Sequence, residues 1–72
     1  MTGDELIRRL KRLARSRGLP MRFEPEQGKG SHGRLYLGGA FTTLKDRRKE
    51  IGPGLLRAML RQLGVDRGDL EA

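Results

Sequence analysis

Acid–base chemistry in this 72-residue chain would centre on its single histidine, His32. Histidine is the side-chain type whose ordinary pKa lies nearest neutrality, so it can take up and return a proton under physiological conditions. It stands in the run Gly28-Lys29-Gly30-Ser31-His32-Gly33-Arg34-Leu35-Tyr36. The glycines permit close approach of a backbone or a phosphate, and Lys29 adds charge beside the imidazole. Arg34 and Tyr36 follow at period two, which puts them on the same face of a strand as His32. Together these residues suggest a platform for phosphate and base around one proton-transfer group, with Ser31 and Arg34 holding phosphate and Tyr36 offering a stacking surface. A lone imidazole among cations suits cleavage of RNA through its own 2′-hydroxyl. There the substrate brings the nucleophile, and the protein supplies proton transfer and stabilises charge on the phosphate. DNA lacks that hydroxyl. A second proton-transfer group would have to be water, Lys29, Tyr36 or a loop cation. The plainer alternative is a solvent-exposed histidine with no role.

A second cluster, Lys45-Asp46-Arg47-Arg48-Lys49-Glu50, precedes Ile51-Gly52-Pro53-Gly54. Such runs are commonly solvated loops. This one leads into a helix start, where free amides and the helix dipole already favour an anion. Lys45, Arg47, Arg48 and Lys49 would therefore reinforce a path for a phosphate backbone, and Asp46 and Glu50 would dilute it. The chain as a whole carries 16 Lys and Arg against 9 Asp and Glu, a net charge of +7, with seven of the basic residues before Phe23. That excess points to a polyanionic partner. The absence of cysteine rules out disulfides, thiol catalysis and thiolate metal sites, and one histidine cannot make a two-histidine metal helix. No metal and no cofactor is implied.

These residues need a scaffold. Thr2-Gly3-Asp4-Glu5 fits a capping box, with Thr2 capping the Glu5 amide and the Glu5 carboxylate reaching back. Leu6, Ile7, Leu10, Leu13 and Ala14 then make the buried stripe of a helix over residues 3–17, closed by Gly18 and Pro20. From Met21 the period becomes two. Met21 and Phe23 face one way, Arg22 and Glu24 the other, and Pro25 excludes a central strand beyond that point. Residues 27–30 read as a turn. A second strand over 31–37 sets Gly33, Leu35 and Leu37 against His32, Arg34 and Tyr36. Gly38-Gly39 signals a hairpin into a third strand over 40–44, whose facing stays open because Phe41 and Leu44 have opposite parity. Leu55, Leu56, Met59, Leu60 and Leu63 give a second helical stripe ending at Gly64, and Asp66 is placed to cap a last turn through Leu70.

The expected architecture is α+β, in the order α-β-β-β-α, one domain over residues 1–72. A three-stranded antiparallel sheet with this little apolar material can cover only one face, so both helices should pack on one side. The opposite face would display His32, Arg34 and Tyr36. No run is apolar enough to span a bilayer and no signal-peptide core is visible, so the expectation is a cytoplasmic chain with no membrane partner.

The residues Gly28 through Arg34, then Thr42-Thr43, then Lys49 through Val65 with its Glu50-Ile51-Gly52-Pro53-Gly54 helix entry, resemble the HicA toxins. Glu5-Leu6 and Leu10 resemble that family's first helix. HicA toxins are small ribonucleases of bacterial toxin–antitoxin pairs with a fold like the double-stranded RNA-binding domain. The resemblance implies cleavage of messenger RNA and inhibition of translation, with His32 as the catalytic histidine. It also implies neutralisation by a HicB-type antitoxin that covers the site, with DNA met only indirectly through the antitoxin. Many members carry a Pro, and often a His, just after the third strand, where this chain has Leu44-Lys45-Asp46-Arg47. A metal-independent endoribonuclease is the reading these residues favour. The rival is a non-catalytic double-stranded RNA-binding module in which His32 is only a polar contact.

Overall fold

A computed structural model describes residues 1–71 of the chain, with residues 29–31 described in their backbone alone. The elements follow in the order α1 (Gly3–Arg17), β1 (Met21–Glu26), β2 (Lys29–Leu37), β3 (Ala40–Leu44), α2 (Pro53–Leu63) and α3 (Arg67–Glu71). The strands form one antiparallel sheet in the order β1-β2-β3, with the helices packed against it. The expected α+β architecture is therefore present, with a short third helix where a last turn was expected.

Alternation explains which sheet face is covered. Leu35 and Leu37 of β2 and Thr42 and Leu44 of β3 are buried, with Met21 and Phe23 of β1 partly buried beside them. They meet Leu6, Leu10 and Leu13 of α1 and Leu56, Met59, Leu60 and Leu63 of α2, and Ile51, Val65 and Leu70 fill the edges of the same cluster. The facing of β3 is thus settled. Phe41 and Thr43 lie on the open face, and Thr42 is inside, where its hydroxyl donates to the Gln62 Oε1 of α2. That bond lets a polar side chain sit in the core without an unpaired group.

Four local expectations change. The turn between β1 and β2 is only Gln27-Gly28, with Gly28 at φ +79, and β2 begins at Lys29. Half of the capping box forms at α1: the Glu5 amide donates to Thr2 Oγ1 at 3.2 Å, while the Glu5 carboxylate binds Arg9 at 2.8 Å. Leu55 leaves the apolar stripe of α2 and is exposed. At α3 the cap runs the other way, with the Asp66 amide donating to Asp69 Oδ2 at 3.0 Å.

Candidate functional site

The open face is organised in rows across the strands. Arg22, Tyr36 and Phe41 are register partners in one row, and Glu24, Arg34 and Thr43 form the next. At Gly33, which pairs with Pro25 on one side and Leu44 on the other, the β2–β3 ladder ends and the β1–β2 register breaks. His32 lies just beyond that point.

The backbone around His32 is irregular for an identifiable reason. Pro25 has no N–H to give to a ladder, and the register breaks directly after it. Pro25 pairs with Gly33 but Glu26 pairs with Lys29, so residues 30–32 of β2 have no partners on β1. Such a bulge bends its strand and re-aims the side chains it carries. His32 is its last residue and is half-buried. Gly33 fixes where the bulge ends. A Cβ there would lie 2.2 Å from the Glu24 carbonyl oxygen, 2.7 Å from Phe23 Cζ and 2.9 Å from Pro25 Cα, so only glycine lets β1 come this close. Pro25 and Gly33 together fix where the backbone that carries His32 meets the end of the paired sheet, and the bulge removes the simple alternation by which His32 was expected to share a face with Arg34 and Tyr36.

Arg34 and Tyr36 occupy that face as expected. With Glu24, Glu26 and Thr43 they line a shallow depression of about 380 Å³. Tyr36 is covered by Arg22, whose guanidinium carbon lies 4.3 Å from the ring centroid and whose Nε binds Glu24 at 3.0 Å. Arg34 stacks over Phe41 at 5.0 Å. The side chains of Lys29 and Ser31 lie outside the described residues. The larger groove of about 630 Å³ runs along α2 and contains none of the expected site residues.

The basic loop joins the same end of the sheet. Lys45 directly follows Leu44, the partner of Gly33, where the β2–β3 pairing ends. Lys45, Arg48 and Lys49 are exposed, whereas Arg47 is half-buried and has a packing role. Its carbonyl accepts from the Asp4 amide at 2.8 Å, its guanidinium lies 5.2 Å from the Phe23 centroid, and its Nε is 3.9 Å from Asp4 Oδ1. Asp46 shapes the loop by accepting from the Arg48 amide at 2.9 Å on its side chain. Glu50 pairs with the Met1 amine, and the Ile51 amide donates to the Met1 carbonyl. Both acids looked like mere diluting charges in the sequence. The Asp46-x-Arg48 spacing, typical of an Asx turn, was the available signal. Beyond the loop, Gly52 is the N-cap of α2 and brings no side chain to its first-turn amides.

The fold and this face define a class: a small basic α+β domain with an open sheet face of aromatic rings and stacked arginines, and one histidine in the bulge of its central strand. A family model described as HicA toxin of bacterial toxin-antitoxin matches residues 21–65. That span runs from β1 through Val65 and includes the bulge, the loop and α2. The chain belongs to the HicA toxin family of toxin–antitoxin systems. No curated protein and no solved structure gives a significant match to it.

Proposed function

We propose that this chain is a metal-independent endoribonuclease toxin that cleaves messenger RNA and thereby inhibits translation, with His32 as the catalytic histidine. The observation that carries the reading is the placement of the only histidine of a HicA-family chain. It ends an unpaired bulge beside an open face of arginine and aromatic side chains. The imidazole takes the proton from the substrate's 2′-hydroxyl as that oxygen forms its bond to phosphorus. The bond from phosphorus to the 5′-oxygen breaks, and that oxygen leaves with a proton from the second group, water or a nearby cation. The products are a 2′,3′-cyclic phosphate and a free 5′-hydroxyl. Lys29, Ser31 and Arg34 hold the phosphate and stabilise its developing charge. Lys45, Arg48 and Lys49 track the backbone, while Arg47 holds their loop against α1 and Phe23.

The net charge of +7 and the open face also suit an acidic protein that competes with RNA. In this reading a HicB-type antitoxin covers the His32 end of the sheet, and any contact with DNA comes through that antitoxin. The setting is cytoplasmic. Expression of the wild type and of His32→Ala in cells without an antitoxin tests the proposal. Growth arrest with loss of messenger in the wild type alone is the expected result. Equal behaviour of two folded proteins present at equal levels would contradict it and leave a non-catalytic RNA-binding module.

A further inference from the structure

We infer that Tyr36 and Phe41, with Arg22 and Arg34 stacked on them, form a base-stacking subsite for single-stranded RNA next to His32. The inference deepens the nuclease reading by naming the form of RNA the face accepts, and rests on it for the cleavage step only. The two rings neighbour each other across β2 and β3, with centroids 5.9 Å apart and an interplanar angle of 37°. Neither ring belongs to the core cluster, and Phe41 is 48% exposed. Each ring carries a planar cation, at 4.3 Å for Arg22 on Tyr36 and 5.0 Å for Arg34 on Phe41. Glu24 holds Arg22 through its Nε, so that guanidinium is oriented before any ligand arrives. Flat π-faces alternating with guanidinium planes are the surfaces on which unpaired bases stack. A duplex hides its base faces and offers phosphates and 2′-hydroxyls instead, for which an aromatic pair has little use.

Charge sets the direction of the strand's backbone. Glu24 and Glu26 line the β1 side of the depression, whereas Lys45, Arg48 and Lys49 follow β3. Phosphates are therefore drawn to the β3 and loop side while bases lie on the rings. Tyr36 is four residues from His32 along β2, roughly 13 Å at about 3.3 Å per residue. Bases held on the rings thus lie a short way along the strand from the bond presented to the imidazole.

Binding is measured apart from cleavage in the His32→Ala background, by fluorescence anisotropy with a labelled single-stranded RNA of mixed sequence and a blunt RNA duplex of the same length. The single strand is expected to bind more tightly. Adding Phe41→Ala should weaken it about 5- to 150-fold, the range for losing one base–aromatic stack, and should change the duplex by less than about twofold, while Phe41→Trp retains binding. Arg22→Ala, at an exposed position, should weaken the single strand in the same direction. Tighter binding of the duplex, equal losses for both RNAs, or unchanged single-strand affinity in Phe41→Ala and Arg22→Ala would overturn the proposal, the last result leaving the patch to a protein partner. Absence of RNA cleavage by the wild type would instead overturn the nuclease reading, with the binding comparison still standing by itself.

Discussion

Gly33 shows how one residue can place a reactive neighbour. Its missing Cβ is what allows β1 to approach the strand that carries His32. Gly33→Ala should force apart the pairing at Pro25 and destabilise the fold by about 1–3 kcal/mol, the usual cost of inserting a group where packing is already closed. Urea denaturation would measure this, and an unchanged midpoint would mean that the strand shifts without cost. His32→Ala should behave in the opposite way. The histidine is half-buried and outside the core cluster, so its replacement should spare stability while reducing cleavage by about 10²- to 10⁴-fold, the usual contribution of one proton-transfer group. Thr42→Val removes the donor to Gln62. Because Gln62 is exposed, water can replace the lost bond, and the expected cost is about 1 kcal/mol in the same denaturation measurement.

Among the elements, α3 is held by contacts that depend on pH. Asp69 accepts from the Asp66 amide and pairs with Arg17 of α1 at 2.9 Å. The amide hydrogen bond from Asp66 is the main effect holding its carboxyl below the usual aspartate value; desolvation opposes it, and the hydrogen bond and charge of Arg17 add to the lowering. A depressed carboxyl contributes stability above its ordinary pKa and loses it as pH falls through the depressed value. Protection of the Leu70 amide against hydrogen exchange, taken relative to its intrinsic rate at each pH, should therefore fall on acidification below about pH 4, more steeply in the wild type than in Asp69→Asn. Equal acid sensitivity of the two would assign the effect to other groups. The same comparison of residues shows what was legible in the sequence. Periodicity was enough for α1, α2 and the alternation of β2, because each depends on one repeating apolar pattern. It could not orient β3, where Phe41 is exposed and Thr42 buried. That inversion depends on Gln62, twenty residues away. The bulge at His32 was also hidden, since it arises from Pro25 on one strand meeting Gly33 on the next. Glu50 read as a charge and became an anchor only when the fold brought Met1 to it, whereas the Asp46 turn was local and legible in its spacing to Arg48.

At the scale of the whole molecule, a net charge of +7 on 72 residues has become an ordered distribution. One sheet face is given to the core, the other carries Arg22 and Arg34, and the basic loop leaves the sheet at the end where the His32 bulge begins. Binding of single-stranded RNA should weaken with salt, and each cation removed from the path of the backbone should lower the slope of log K against log salt by about 0.7. Lys45→Gln tests this at an exposed position, and an unchanged slope would place the phosphates elsewhere. The central claim is that His32 drives cleavage through the substrate's own 2′-hydroxyl. Purified wild-type protein and His32→Ala, incubated with end-labelled RNA in EDTA, test it most directly when the product termini are identified. Cleavage by the wild type alone, leaving 2′,3′-cyclic or 3′-phosphate ends, is the predicted result. Strict dependence on magnesium, 5′-phosphate products, or equal cutting by His32→Ala would contradict it.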